Sequence, residues 1–233
     1  MVKVLALIPQ RPDISREEFH SHWLAPHGEM ACGIDTLEAY VQCHRLRPGV
    51  PGLPEADYEG IAEVWFADVA TAAAMGEHPV YAEQVQPDEA NFIDGERLAF
   101  VFADEHVVRD GAAIGKATPV VKAQLLVRRA AGSSREDFDA AWAAEDEAFA
   151  SSFPGAIRLV RTEARPESYA EGEPPADGFA EIWWPDRESF EADWAADGEP
   201  YLRSLESFAD LDASSAFLSE ETRLLWRGQA GAG

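Results

Sequence analysis

Alternating apolar and polar positions predict the strands of this chain. The segment Val2–Ile8 alternates between two faces and stops at Pro9, as a strand does. Three further strands are predicted in the first half, at Leu37–Arg45, Gly60–Phe66 and Arg97–Val108. Four more are predicted in the second half, at Val120–Val127, Ile157–Thr162, Gly178–Trp184 and Ala216–Leu225.

Helix-start signals separate these strands. Ser15 followed by Glu18 forms a capping box, in which the hydroxyl accepts from a helical amide and the carboxylate reaches back, so a helix is predicted to begin there. A second helix is predicted after Asp68, and two more from Ser134 and Arg187. The order in each half is β-α-β-β-α-β, which is the order of a ferredoxin-like unit.

A nine-residue motif occurs twice along the sequence. Ser15–Trp23 reads SREEFHSHW and Ser134–Trp142 reads SREDFDAAW, 119 positions apart, with five of nine positions identical. A second pair, Gly60–Phe66 and Gly178–Trp184, is separated by almost the same offset, 118. We therefore interpret the chain as a tandem repeat of one domain.

The repeat sets the expected domain organisation. The first copy covers residues 1–110, a short linker covers 111–118, the second copy covers 119–227, and 228–233 are expected to form a disordered tail. Six histidines lie in the first copy and none in the second: His20, His22, His27, His44, His78 and His106. Any histidine chemistry is therefore expected in the first copy alone.

Both faces of the third strand in each copy carry large apolar side chains. Trp65 lies on the face opposite Val64, and Trp183 on the face opposite Ile182. A four-stranded sheet with helices on one face leaves its other face open, and two copies can cover each other. We therefore predict an α+β fold in which two ferredoxin-like repeats pair into an intramolecular, pseudo-dimeric α+β barrel.

The acidic composition narrows the choice of partners. Forty-three acidic and nineteen basic residues give a formal net charge of -24, which repels nucleic acid and anionic lipid. No stretch approaches the ~18 apolar residues of a membrane span, and the N-terminal segment is too short for a signal sequence. We expect a cytoplasmic protein with no nucleic-acid or membrane partner and with Cys32 and Cys43 reduced.

Two segments of the first copy carry a recognisable pattern. One is SREEFHSHW, followed by His27-Gly28, and the other is DYEGIAEVWFAD at 57–68. Together they resemble the EthD-like family of the dimeric α+β barrel superfamily, over most of 1–110 and more weakly over 119–227. Two positions depart from the family pattern. His22 stands where an aromatic residue is usual, and Pro26 precedes the family histidine, where it is expected to kink or end the helix.

The resemblance implies work on a small molecule inside a barrel. The implied substrate is hydrophobic, aromatic or polyketide-like, and the implied reaction is a cofactor-independent decarboxylation, dehydration, cyclisation, isomerisation or oxygenation. Some members are accessory to ether-degrading oxygenases. In single-domain relatives two chains pair to form the barrel, so this chain is expected to be a monomer with an internal pseudo-dimer, or a homodimer.

The first-helix histidines are the leading catalytic candidates. On a helix His20 and His27 differ by about 20°, with Trp23 between them, whereas His22 points the other way. We predict His20 and His27 as acid–base groups and Trp23 as a pocket residue. The alternative is that they only cap or hydrogen-bond at the rim. The same spread keeps the three histidines from binding one zinc ion, so no metal site is predicted.

Glutamates of the third strands form a second candidate set. Glu63 shares a face with Trp65, and Glu181 shares one with Trp183, so all four are predicted to line the barrel interior. There Glu63 is a candidate acid, base or orienter of a histidine. A structural ion pair is the alternative, because the copy without histidines keeps Glu181. Arg158 is expected to be the counter-ion on that side.

The second strand adds three more residues. Tyr40, Gln42 and His44 alternate with Val41, and they are predicted to share the interior face with Glu63. His44 is then a third candidate catalytic histidine, and Tyr40 and Gln42 belong to the substrate pocket. The alternative for His44 is a neutral cross-strand hydrogen bond.

The sequence contains no nucleotide-binding or nucleophile-elbow motif, so no cofactor is predicted. We predict a cofactor-independent enzyme that uses His/Glu acid–base chemistry on a hydrophobic small molecule. Two alternatives stay open. One is a non-catalytic binding or accessory protein of an oxygenase system. The other is an oxidoreductase, either a cofactor-free oxygenase or a haem enzyme, since related barrels hold haem through a histidine.

Overall fold

The computed structural model describes residues 1–227 and has a mixed α/β architecture. The strands are β1 (Val2–Ile8), β2 (Ala39–Arg45), β3 (Gly60–Phe66), β4 (Ala99–Asp110), β5 (Val121–Arg129), β6 (Arg158–Ala164), β7 (Gly178–Trp184) and β8 (Ala209–Trp226). The α-helices are α1 (Arg16–His22), α2 (Gly28–Ala31), α3 (Val69–Ala73), α4 (Gln86–Glu89), α5 (Arg135–Ala144), α6 (Asp146–Ser151) and α7 (Arg187–Leu205). Two π-helical segments, Trp23–His27 and Tyr81–Val85, and two 3-10 turns, Ala74–Glu77 and Pro166–Tyr169, complete the elements.

The described strands form a closed barrel in the order β1-β3-β2-β8-β5-β7-β6-β4. This confirms the predicted barrel, while the ferredoxin-like description of each copy stays a prediction. Three strands have the bounds predicted from the sequence, namely β1, β3 and β7. The largest difference is at β8, which begins seven positions before the predicted Ala216.

The chain divides into two compact units. The first unit comprises residues 1–44, 57–103 and 221–227, and its antiparallel strands follow the order β4-β1-β3-β2. The second unit comprises 45–56 and 104–220, with the order β8-β5-β7-β6. The domain bounds read from the sequence stay a prediction, because β4 and β8 each contribute residues to both units. The predicted tail, 228–233, lies outside the described residues.

Each unit repeats one close contact between a tryptophan and a glycine. In the first unit a Cβ added to Gly60 would come within 2.4 Å of the Trp23 ring. In the second unit a Cβ on Gly178 would come within 2.3 Å of the Trp142 ring. Both tryptophans are buried, so glycine as the first strand residue leaves the space that the indole ring occupies.

The first helix is shorter than its sequence pattern suggests. The capping box of Ser15 and Glu18 starts α1 as predicted. The helix then gives way to the π-helical segment, in which Ala25 has an extended backbone with φ -156° and ψ 127°. Pro26 lacks an amide hydrogen and disfavours helical geometry at the residue before it. The expected break at Pro26 is therefore present, and it changes the direction of His27.

No helix in the part of the chain that the structure describes is both long and apolar enough to cross a membrane.

Candidate functional site

The first unit encloses a cavity of about 70 Å³ between its sheet and its short helices. The sheet contributes small apolar side chains from β1 and β3, and the helical side contributes residues from Trp23 to Ile93. Five side chains with polar atoms interrupt this apolar lining: Trp23, His27, Tyr40, Tyr81 and Glu89. An apolar space with a few converging polar groups is the usual form of a small-molecule site.

His27 is buried and oriented by a carboxylate. Its Nδ1 lies 3.0 Å from Oδ2 of Asp88, so this nitrogen carries the hydrogen and neutral His27 keeps its lone pair on Nε2. Burial lowers the pKa of His27 below 6.5, although the bond to Asp88 acts in the opposite direction. The imidazole is therefore a neutral base on the cavity wall at pH 7.

Asp88 binds a second histidine at the same time. His22 Nε2 lies 2.9 Å from Oδ1 of Asp88, and Asn91 donates to the same oxygen. Burial acts to raise the pKa of Asp88, but the hydrogen bonds from Asn91, His27 and His22 outweigh it and hold that pKa below 3.8. Asp88 therefore stays ionised and can stabilise a positive charge on His27.

Glu89 provides the opposite kind of group. Burial raises the pKa of Glu89 to about 7, and the hydrogen bond from Tyr81 Oη at 3.1 Å only partly offsets that effect. Glu89 therefore titrates near neutral pH, well above the usual range of a carboxyl group. Adjacent residues in the chain thus differ in charge state, with Asp88 ionised beside His27 and Glu89 able to act as an acid.

Hydrogen bonds fix the orientation of the Gln42 amide and, through it, of Tyr40. Gln42 Nε2 lies 2.7 Å from the Trp23 carbonyl oxygen and 2.8 Å from Tyr40 Oη. A carbonyl only accepts, so Nε2 must be the donor to both. The Tyr40 oxygen therefore accepts from Gln42, and its own hydrogen remains to be donated.

His20 and His44 form a separate cluster. His44 Nε2 donates to Gln42 Oε1 at 3.0 Å, so its Nδ1 accepts from His20 Nδ1 at 2.9 Å. His20 Nε2 lies 3.0 Å from a carboxylate oxygen of Glu59, which Arg16 also contacts. Burial, with the nearby His20, lowers the pKa of His44 to about 3, so His44 stays neutral.

The structure does not bring His20 and His27 together as predicted. His27 shares Asp88 with His22, the residue that the helical projection excluded, whereas His20 contacts His44 and Glu59. The projection assumed a continuous helix, and the extended Ala25 interrupts it.

Tyr40, Gln42 and His44 lie on the opposite face from the one predicted. The strand register places Val41 directly opposite Glu63, so these two share a face and the other three point toward the helices. Their contacts with Trp23 and His20 agree with this placement. The alternation separated the two faces of this strand correctly, but it does not indicate which face the helices cover.

Glu63 and Glu181 lie on the sheet faces that point away from the helices, and each pairs with a buried lysine. Lys3 Nζ is 3.1 Å from Glu63 and Lys122 Nζ is 2.5 Å from Glu181. All four side chains are essentially inaccessible to solvent. Because both units repeat the pair, the arrangement supports the structural ion-pair alternative for Glu63.

The tryptophans of the third strands contact these lysines. Lys3 lies over Trp65 at 5.0 Å, and Lys122 lies over Trp183 at 4.2 Å. Each indole thus belongs to a buried charge cluster and does not line the cavity described above.

Arg158 is not the counter-ion of Glu181. The Arg158 guanidinium binds Asp110 at 2.7 Å and lies over Trp183. The register places Val160 opposite Glu181 and Arg158 opposite Trp183.

In the second unit the space between sheet and helices is filled by aromatic rings. Phe149 stacks on Tyr201 at 5.0 Å and Phe153 stacks on Trp194 at 5.4 Å. The residue at the position of His27 is Asp146, which binds Arg161 at 2.8 Å. The second unit therefore lacks the acid–base residues and replaces the cavity with packing.

Sequence reasoning missed Asp88, Glu89 and Tyr81. They lie beyond the predicted second helix, where the chain continues through the π-helical segment into α4. The spacing of Tyr81, Val85 and Glu89 is four residues in each step, which places them on one helical face and was a usable signal.

One group in the described chain has the spacing of metal ligands. Cys43, Glu63 and Glu221 offer ligand atoms within 4.8 Å of one another, and all three are buried. Lys3 binds Glu63 and Arg223 binds Glu221 at 2.6 Å, so cations of the protein already occupy these carboxylates. The group is best described as a balanced charge cluster.

Solved structures with the same fold cover almost the whole chain. An anthrone oxidase-like protein is 9% identical with a TM-score of 0.66, and the match covers 97% of this chain and 94% of that one. A candidate monooxygenase from Lactobacillus acidophilus is 12% identical, with a TM-score of 0.53 and coverage of 97% and 96%. A mutant chlorite dismutase from Candidatus Nitrospira defluvii is 9% identical, with a TM-score of 0.51 and coverage of 96% and 92%. The fold is thus that of the dimeric α+β barrel proteins.

The sequence itself gives a narrower assignment for the first copy. Residues 11–96 match the EthD domain, which confirms the resemblance inferred from the motifs. The matched region includes the cavity residues from Trp23 to Glu89. No curated protein matches the chain.

Proposed function

We propose that the first unit is a cofactor-independent acid–base enzyme whose substrate is a hydrophobic small molecule bound between its sheet and its helices. His27 is the base, Asp88 orients it, and Glu89 is the acid. The second unit has a structural role. His20 and His44, which the sequence predicts as catalytic residues, support the cavity wall through Gln42 and Tyr40.

The observation that carries this proposal is the pair of opposite pKa shifts in one apolar cavity. Burial lowers the pKa of His27 and raises that of Glu89 to about 7. Two titratable groups whose environments drive their pKa values apart can supply a base and an acid at the same pH. Both side chains line the same space.

The geometry supports a simple proton-transfer cycle. His27 Nε2 accepts a proton from a carbon or oxygen of the substrate, and the resulting imidazolium is stabilised by ionised Asp88. Protonated Glu89 delivers a proton elsewhere on the same molecule. Solvent then returns the two residues to their starting states. Isomerisation, dehydration, decarboxylation and cyclisation all contain these two proton transfers.

A ring-sized substrate requires the cavity to widen. Its volume of about 70 Å³ is below the ~150 Å³ of a protein cavity that accepts benzene. Met75 and Phe100 are among the lining residues, and Phe100 is 41% exposed. A flexible methionine and a partly exposed ring are the side chains that can move with least loss of packing.

Oxygenation is the second candidate, because two of the fold neighbours are described as an anthrone oxidase-like protein and a candidate monooxygenase. A cofactor-free oxygenation of an aromatic substrate also begins with removal of a proton. It therefore uses the same His27, and product analysis separates it from the first candidate. A non-catalytic binding protein, the cytoplasmic location and the monomeric or homodimeric state remain predictions.

The test compares His27→Gln and Asp88→Asn with His78→Gln, a control histidine of the same unit that binds exposed Asp35. The assay follows exchange of carbon-bound hydrogen for deuterium by NMR, with a panel of cyclic ketones, lactones and hydroxylated aromatic compounds. We expect His27→Gln to lower kcat about 100-fold with little change in KM, and His78→Gln to have no effect. Unchanged exchange in His27→Gln contradicts the proposal. Binding without any exchange by the unmodified protein favours the accessory alternative.

A further inference from the structure

Two uncharged hydrogen-bond donors, the Tyr40 hydroxyl and the Trp23 indole, belong to side chains that line the cavity. The Tyr40 hydroxyl must donate, because its oxygen already accepts from the Gln42 amide. The Trp23 indole Nε1 is fully buried and has no hydrogen-bond acceptor among the described residues. An unpaired buried donor costs about 1–3 kcal/mol, so such a group marks a place where an acceptor is expected.

The two donors belong to one region of the wall. Both side chains line the cavity, and the Trp23 carbonyl and the Tyr40 oxygen are bridged by the same Gln42 amide. Burial raises the pKa of Tyr40, while the Gln42 amide and the Trp23 indole act to lower it, as nearby donors do. The Trp23 N–H therefore lies near the Tyr40 hydroxyl, although it forms no hydrogen bond of normal geometry within the described residues. Both donors therefore belong to the same part of the cavity wall.

The charge of the lining restricts the ligand further. The described residues that line the cavity include no lysine or arginine, and ionised Asp88 lies directly behind His27. An anionic ligand in this space would be desolvated without a counter-ion, which is costly. The acceptor atom is therefore the oxygen of a neutral group that can gain negative charge during the reaction.

We propose that this cavity binds a neutral carbonyl compound, with the carbonyl oxygen accepting from Tyr40 and Trp23 and the adjacent C–H bond ionised by His27. This inference rests on the proposed function and specifies its substrate class. In the step, the C–H bond breaks and its proton moves to His27 Nε2. The electron pair forms the C=C bond of an enolate, and the carbonyl π pair moves to the oxygen held by the two donors.

The test uses cyclopentanone and its hydrocarbon isostere methylenecyclopentane. In the second ring a CH2 group replaces the carbonyl oxygen. Binding of each is titrated by NMR, and the carbonyl stretch of bound ¹³C-labelled cyclopentanone is measured by infrared spectroscopy. We expect cyclopentanone to bind more tightly, with its stretch shifted to lower frequency. Tyr40→Phe should weaken cyclopentanone binding about tenfold and move the stretch back, with methylenecyclopentane binding unchanged.

Matched variants in the second unit control for loss of packing. Tyr201→Phe removes a buried tyrosine hydroxyl there, and Trp142→Phe removes the indole that packs on Gly178 as Trp23 packs on Gly60. We expect neither to change ketone binding, whereas Trp23→Phe should weaken it. If Trp23→Phe fails to fold, Tyr40→Phe alone tests whether the cavity binds the carbonyl oxygen. Equal binding of the two rings, binding of neither, or an unshifted stretch overturns the inference.

Exchange of the α-hydrogens of cyclopentanone in D2O separates this inference from the proposed function. If His27→Gln keeps the shifted carbonyl stretch and the exchange is unaffected, the carbonyl site stands and His27 is not the base. If exchange depends on His27 but Tyr40→Phe changes neither the stretch nor the ketone preference, the acid–base function stands and the carbonyl site is wrong.

Discussion

At the scale of single residues, the candidate site buries the carboxyl group of Glu89 in an apolar environment that destabilises its charged form. Glu89 has a raised pKa because it is buried beside apolar side chains, while its hydrogen bond from Tyr81 offsets only part of that cost. Functional residues are often placed at the expense of stability in this way. The position therefore offers a test in which stability and activity change in opposite directions.

We expect Glu89→Gln to stabilise the protein at pH 8 and to abolish acid catalysis. A carboxyl with pKa 4.5 in the unfolded chain and about 7 in the folded protein makes stability fall as pH rises from 4.5 to 7 and remain lower above 7. The amide removes this loss, worth on the order of 2 kcal/mol after allowance for the exposed part of the side chain. Urea unfolding at pH 5 and pH 8 measures it.

Glu83→Gln is the control, because Glu83 is exposed on the neighbouring π-helical segment. It should leave the difference in unfolding free energy between pH 5 and pH 8 as it is in the unmodified protein. A Glu89→Gln variant that is equally pH-dependent, or less stable at pH 8, means that Glu89 ionises normally in the folded state.

The sequence anticipated only part of the residues of this site. His27, Trp23 and Tyr40 were recognised because a motif or a strand pattern marked them. Asp88, Glu89 and Tyr81 were not, because the four-residue spacing of Tyr81, Val85 and Glu89 indicates a helical face and not the chemistry of its residues. The ionisation of Glu89 depends on burial by residues distant in sequence, and no local pattern contains that information.

At the scale of elements, strands were easier to predict than the helices. A strand is fixed by alternation over a few residues, and β1, β3 and β7 have the predicted bounds. The helical layer of the first unit is broken by the extended Ala25 and divided into short α, 3-10 and π segments. A projection at 100° per residue fails across such breaks, which is why His22 and not His20 lies with His27.

The tryptophan–glycine contact at the start of β3 and β7 gives a paired prediction for these elements. We expect Gly60→Ala and Gly178→Ala each to destabilise the protein by about 1–3 kcal/mol, because the added methyl group meets a buried indole ring. Denaturant unfolding measures both. Gly76→Ala is the control, since no atom lies within 4 Å of the Cβ it would add.

Only one member of this pair should affect the cavity. Displacement of Trp23 moves a donor of the carbonyl site, so Gly60→Ala should also weaken cyclopentanone binding, while Gly178→Ala should not. A loss of binding in both variants would show that binding follows general stability. If either variant has the same unfolding free energy as the unmodified protein, the indole moves aside at no cost.

At the scale of the whole molecule, one architecture carries two different interiors. Both units keep the tryptophan on its glycine and the buried Lys–Glu pair. They differ where the first has a cavity with His27 and the second has Asp146, Arg161 and stacked aromatic rings. The distribution of histidines predicted this asymmetry. In the second unit, stacked aromatic rings occupy the space between sheet and helices.

The formal charge of -24 makes the final prediction one about the entire chain. Acidic residues outnumber basic ones by 43 to 19, so self-repulsion opposes the compact state over distances longer than any single ion pair. Raising the ionic strength from about 0.02 M to 0.5 M shortens the screening length to a few Å and removes most of that repulsion. Buried pairs such as Lys3–Glu63 are hardly screened and keep their contribution to stability.

We therefore expect Tm to rise by about 2–4 °C, corresponding to about 1 kcal/mol. Sodium chloride and choline chloride at equal ionic strength should give the same rise in calorimetry, because screening depends on ionic strength and not on the cation. A fall in Tm would mean that exposed ion pairs outweigh the net repulsion, and a rise with sodium alone would indicate bound cations.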